Sequence, residues 1–91
     1  MARLMNIGFG NAVNTDKVVA VVNPDAAPIK RMVQQAKENG RVIDATQGRR
    51  TKSVLVTQED HIVLSALQPD TLIKRFSNAA IIGMKGEEDE P

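Results

Sequence analysis

The chain has 91 residues and 9.9 kDa, is 42% hydrophobic and 25% charged, and carries a formal net charge of +1; that composition fits one small domain with one core and excludes a multi-domain enzyme. It contains no Cys, Trp or Tyr and one His, which rules out disulfides and thiolate metal sites, shortens the catalytic inventory, and makes a protein without metal or cofactor the expectation. The longest apolar run, Val18 to Val22, falls far short of the ~20 residues of a membrane span, and Met1 to Asn6 lacks the apolar region and cleavage site of a secretory leader, so a cytoplasmic protein is expected.

In chain order, Leu4 to Ile7 reads as a short strand closed by a Gly8-Phe9-Gly10-Asn11 turn around a buried Phe9. Lys17 to Val22 is β-branched on both alternating faces, as in a strand covered on both sides by the fold or by a neighbouring subunit, which gives it a central place. Asn23-Pro24-Asp25 breaks it, and Asp25 suits a helix N-cap with Pro28 in the first turn. The spacing of Ile29, Met32, Val33 and Ala36 predicts a helix from about Ala26 to Asn39 with one apolar stripe, stopped by Gly40, with Lys30, Arg31, Gln34, Lys37 and Glu38 on its other faces.

Three strands are expected next, Val42 to Thr46, Lys52 to Thr57 and His61 to Ala66, separated by hairpin-sized gaps. Gln68-Pro69-Asp70 opens a short second helix with Leu72, Ile73 and Phe76 facing inward. The order is ββαβββα, an α+β domain with an antiparallel-rich sheet, one main helix and a short C-terminal helix. It spans residues 1–76, and an acidic, disordered tail follows over 77–91. A chain this short buries little of its surface, so a homo-oligomer is expected, with Val19, Val21 and Pro28 covered by neighbours.

Charge is unevenly placed. Residues 1–76 hold eleven Lys and Arg against seven Asp and Glu, whereas the tail holds Lys85 against Glu87, Glu88, Asp89 and Glu90. Arg41, Arg49, Arg50 and Lys52 cluster around a single acid, Asp44. Two adjacent guanidiniums on a tight hairpin cannot both lie along the core and must point outward, where phosphates are their natural partner. A solvated charged turn is the plain alternative, and Lys17, Lys30 and Arg31 carry the same ambiguity. Two Phe and no other aromatic argue against single strands or RNA loops, which leaves duplex DNA contacted through its backbone.

Other chemistry is thin. Gly8-Phe9-Gly10 lacks the third glycine and the immediate helix of a dinucleotide site. His61 beside Asp60, with Ser65 four residues on, has nothing to orient a base, and Asp44 reads as an ion pair or a turn-capping carboxylate. No catalytic residue and no small-molecule substrate are expected.

Four blocks carry a further signal: Asn6-Ile7-Gly8-Phe9-Gly10-Asn11; Ala27-Pro28-Ile29-Lys30-Arg31; Ile43-Asp44-Ala45-Thr46 leading into Gly48-Arg49-Arg50-Thr51; and Val63-Leu64-Ser65-Ala66 with Gln68-Pro69-Asp70-Thr71. Over residues 4–76 the chain resembles the RemA-like family of bacterial extracellular-matrix regulators. The resemblance implies a nucleoid-associated, DNA-binding activator of biofilm-matrix operons that assembles into an octamer-like ring. It places the family's DNA-contacting arginine pair on Arg49 and Arg50 and a third basic position, an arginine in the best-known member, on Lys17, which keeps the charge without the planar fork. Lys30, Arg31 and Lys52 extend that surface, and Pro28 falls in a region tied to subunit contacts. Gln47 replaces the family's usual tyrosine, and the acidic tail lies outside the family pattern. The competing expectation is an architectural or scaffold ring that binds DNA without sequence preference, or an acidic protein.

Overall fold

The computed structural model describes residues 3–80. The apolar residues of the two most buried strands, β5 (Ser53–Thr57) and β6 (Ile62–Ser65), alternate between the two faces of one sheet. Val54, Ile62 and Leu64 point to one side, and Leu55 and Val63 to the other. Each face therefore needs a cover. The first is covered by α1 (Ala27–Glu38), whose Ile29, Met32, Val33 and Ala36 stripe packs on Val54, Ile62 and Leu64 as the spacing predicts. The second is covered by a hairpin of β1 (Leu4–Gly8) and β2 (Asn11–Asn14) together with α2 (Pro69–Ala80), through Met5, Ile7 and Leu72.

The four-stranded sheet is completed by β3 (Val18–Val22) and β4 (Val42–Asp44) in the order β3-β5-β6-β4. The result is the expected α+β domain, with β2 added to the ββαβββα order as the partner of β1 in a separate two-stranded sheet. β5 is antiparallel to both β3 and β6, whereas β4 runs parallel to β6.

Several expectations are corrected by this topology. The Val18–Val22 strand lies at an edge: Val18 and Val21 pack on the Leu55 side, Val22 packs on the Val54 side, and Val19, at a register shift against β5, is 63% exposed. Lys17 belongs to a 3-10 turn, Thr15–Lys17, that precedes the strand. Helix α1 starts at an Ala26 N-cap with no side-chain cap, so Asp25 does not cap it, while Pro28 does sit in the first turn. Among the α2 residues whose side chains are described, 69–77, only Leu72 is fully buried, and Ile73 and Phe76 are exposed. That helix runs on to Ala80, past the expected boundary at residue 76. The acidic residues expected to form a tail lie outside the described residues.

The hairpin is fastened to the sheet by Ser65, which is fully buried. Its hydroxyl donates to the Ile7 carbonyl at 2.8 Å and accepts from the Leu67 amide at 3.1 Å. Ser53 donates to the Leu67 carbonyl at 2.6 Å, and Arg75 of α2 donates to the Asn6 carbonyl at 3.0 Å. Removing the Ser65 hydroxyl strands the half-buried Leu67 amide and takes a donor from the buried Ile7 carbonyl. Ser65→Ala is therefore expected to lower unfolding stability by about 1–3 kcal/mol, read as a lower urea midpoint at constant slope. An unchanged midpoint would show that the Ser65 hydroxyl adds nothing to what Arg75 and the apolar packing already supply.

Candidate nucleic-acid interface

Because β4 pairs with β6 and not with β5, residues 45–52 do not close a hairpin. The segment crosses over the end of β6, held by the Ala45 amide on the Leu64 carbonyl and the Lys52 amide on the Ser65 carbonyl, both at 2.9 Å. This corrects the expected Arg-rich hairpin tip. The arginines sit on a crossover, and they are still turned outward.

The crossover is shaped by a local device. Asp44 Oδ1 accepts from the Thr46 amide at 2.9 Å and from the Thr46 hydroxyl at 2.6 Å. Thr46 then begins a tight turn in which Gln47 and Gly48 both have positive φ, 55° and 78°, and the Arg49 amide donates to the Thr46 carbonyl at 2.9 Å, the signature of a type I′ turn. Thr46 is buried while Gln47, Gly48, Arg49 and Arg50 are all exposed. Asp44 is thus a turn-capping carboxylate, the second of its two expected roles. Its bonds with Thr46 hold its carboxyl below the usual carboxylate range, with a smaller contribution from Lys37.

A second turn of the same kind stands at this end of the molecule. Gly8 pairs with Asn11 across a two-residue tip in which Phe9 and Gly10 have φ of 53° and 78°. Asn or Asp usually fills the first of these positions, and a bulky residue there is strained by about 1–2 kcal/mol. Phe9 is 48% exposed, in place of the buried Phe9 expected from the sequence, and the Arg49 guanidinium lies over its ring at 5.6 Å from the centroid. Nothing in the residue pattern pairs Phe9 with Arg49; the only signal was that both lie in glycine-bearing turns.

β3 and β4 both run toward this end, so α1 begins there, and Lys30 and Arg31 in its first two turns stand at the same end of the sheet as Arg49, Arg50 and Lys52, on the face opposite the hairpin that carries Phe9. All five are exposed. The acids on the same side are Asp25, Asp70 and the engaged Asp44. The positive ends of both helix dipoles add to the field. Lys17 and Arg41 are not part of this group. Val18 pairs with Thr57 and Val42 with Ile62, which puts both cations at the opposite end of the sheet. There Lys17 Nζ lies 3.9 Å from Glu59, and Arg41 donates to the Glu59 carbonyl at 3.5 Å.

His61 and Ser65 are at opposite ends of β6, and Asp44 is at the end away from His61, so no triad or acid/base pair is assembled from them. Among the described residues no helix is long and apolar enough to cross a membrane, and no three metal-binding side chains converge.

The profile of the RemA-like family, extracellular matrix regulatory protein A-like, matches residues 4–76. The chain belongs to the RemA-like family. It is 51% identical over 88 residues to a protein of Clostridium kluyveri, covering 97% of this chain and 89% of that one. It is 53% identical over 89 residues to one of Thermoanaerobacter, covering 97% and 93%, and 55% identical over 76 residues to one of Alkaliphilus metalliredigens, covering 84% and 82%. Each is named as a "Putative regulatory protein". The four sequence blocks of this RemA-like chain fall on the β1–β2 hairpin, the start of α1, the β4 crossover and the β6–α2 link, and the first three bring Phe9, Lys30, Arg31, Arg49 and Arg50 to one end.

The Asp44 turn carries a pH signature. Its folded pKa lies below the unfolded one, so its contribution is complete above the unfolded value, ~4, and is lost as pH falls through the folded value. The stability difference between the wild type and Asp44→Ala, from urea unfolding, is expected to hold constant from pH 7 to about pH 5 and to shrink below that. A difference independent of pH down to about pH 2 would show that the ionised form of the Asp44 carboxyl adds nothing to the turn.

Proposed function

We propose that this RemA-like regulatory protein is a non-enzymatic, homo-oligomeric DNA-binding regulator, acting on extracellular-matrix operons as the family description suggests. The observation that carries the reading is the outward pair Arg49 and Arg50 on a turn whose own carboxylate, Asp44, is occupied by Thr46. Exposed guanidiniums that have no carboxylate partner among the described residues are free to bind phosphate bidentately, and each neutralised phosphate releases counterions. Lys30, Arg31 and Lys52 extend the same surface.

One copy presents few cations, so useful affinity comes from repetition, as in an octamer-like ring. Self-association is supported by the apolar side chains left exposed on the outside of the domain: Val19 on the edge strand β3, Ile43 on the edge strand β4, Leu4, and Ile73 and Phe76 on α2. Val21 contributes less, since it packs on the chain's own core. Pro28 is exposed at the start of α1 and free to meet a neighbour. Lys17, at the far end of the sheet, joins the arginine surface of another copy or contacts DNA lying along the sheet. The site of action is the cytoplasmic nucleoid.

The test is a titration of a fluorescently labelled duplex with the wild type and with Arg49→Ala/Arg50→Ala across a salt series, with light scattering on both. The wild type is expected to show a steep salt slope, and a variant of unchanged size a slope flatter by about 0.9 for each phosphate it no longer neutralises. Equal affinity in the intact variant would move the binding surface elsewhere, and a stable monomer would remove the oligomer. Operator preference below ~1000-fold over random duplex would favour an architectural ring over a regulator of chosen operons.

A further inference from the structure

Arg49 and Arg50 are neighbours in sequence but not equivalent in the structure. The Arg49 backbone is fixed by the Thr46 carbonyl and its guanidinium lies over Phe9, whereas no side-chain hydrogen bond, ion pair or ring contact holds Arg50 among the described residues. Phe9 is the less expected half of this pair. It occupies a position that favours Asn or Asp, at a φ that a bulky side chain rarely adopts, and the residue is about half exposed. Phe9 is thus not held by full burial in the core, and a strained, half-exposed residue beside a binding group points to a role in binding.

The hairpin tip is also tied down by hydrogen bonds. The Gly8 amide donates to Asn6 Oδ1 at 2.7 Å, Asn11 Nδ2 donates to the Gly8 carbonyl at 3.2 Å, and Ser65 donates to the Ile7 carbonyl at 2.8 Å.

We propose that Phe9 is a positioning residue for the DNA interface: its ring, fixed on the hairpin tip, orients the Arg49 guanidinium before DNA arrives. The inference rests on the DNA-binding reading and deepens it. A guanidinium over an aromatic face is attracted to the ring quadrupole. A carboxylate partner would neutralise it, whereas the ring leaves its charge to an external phosphate. Binding then costs less side-chain freedom. Arg49 is the pre-set group, and Arg50 adapts to the DNA.

Phe9→Leu keeps an apolar side chain and removes the π face, and Phe9→Tyr keeps the face. Two readouts apply. In the free protein, 15N relaxation of the Arg49 Nε–H group is expected to show greater mobility in Phe9→Leu and wild-type order in Phe9→Tyr. In duplex titrations, Phe9→Leu is expected to bind about two- to fivefold more weakly per site, the fold-change equivalent of an exposed cation–π interaction, with Phe9→Tyr at wild-type affinity. In an Arg49→Ala background Phe9→Leu should change nothing more. Equal melting temperatures exclude misfolding, and Phe9→Gly, which relaxes the positive φ, replaces Phe9→Leu if the latter melts early.

Unchanged Arg49 order and DNA affinity in Phe9→Leu would overturn the inference while leaving the DNA-binding reading in place. So would an equal weakening with and without Arg49, which would make the ring touch DNA in its own right. No duplex binding by the wild type at low salt would overturn both.

Discussion

The hydroxyl of Ser65 joins three parts of the chain that are distant in sequence: the last strand of the sheet, the carbonyl of Ile7 in the first hairpin, and the link into α2. It is fully buried, so its bonds are made where water cannot replace them. The basic end depends on this point. Ser65 also receives the Lys52 amide on its own carbonyl, which ends the crossover that carries Arg49 and Arg50. One short polar side chain and its backbone thus set the hairpin tip with Phe9 and the exit of the arginine segment at the same height on the sheet.

The crossover follows from strand order. β4 and β5 are separated by β6, so the link between them must span two strand spacings, about 10 Å, at the end of the sheet. Residues 45–52 make that span without secondary structure of their own, and backbone groups passing over a strand end need partners. Leu64 and Ser65 supply two, and the Asp44–Thr46 pair organises the rest. Between these anchors the turn at Gln47 and Gly48 has nowhere to go but outward. Exposure of the arginines is a consequence of topology as much as of their charge.

How much of this the sequence showed depends on whether the deciding signal was local. Helix α1 was legible because Ile29, Met32, Val33 and Ala36 repeat at the helical period and meet a face that wants them. β5 and β6 were legible as strands by their β-branched residues, but their place in the sheet was not: a gap of a few residues between β4 and β5 suits a hairpin, and only the parallel β4–β6 pairing, made between distant segments, turns it into a crossover. β2, Asn-Ala-Val-Asn, has weak strand propensity and forms because β1 lies beside it. The edge position of Val18–Val22 was hidden because both faces of that strand do pack, Val18 and Val21 on one side and Val22 on the other, while the outward residue is the one at the register shift. At the candidate site, Arg49 and Arg50 could be picked out by charge alone, but Phe9 could not, since its exposure follows from the left-handed backbone of the turn.

The separation of the cations bears on how DNA would lie. Lys17 and the arginine pair stand at opposite ends of the sheet, and five residues of β5 between them rise about 13–17 Å. At about 3.4 Å per base pair that is four or five base pairs of one strand. A duplex along the sheet would meet both ends of one copy, whereas a duplex along the basic end would meet the Arg49, Arg50, Lys30 and Arg31 group of successive copies. The second arrangement draws on more charge. Lys17 is already beside Glu59 and would have to leave it, while the basic end has Asp44 turned away into its own loop. Electrostatics thus favours the end of the sheet over its length as the track, with Lys17 serving a neighbouring copy if it serves DNA at all.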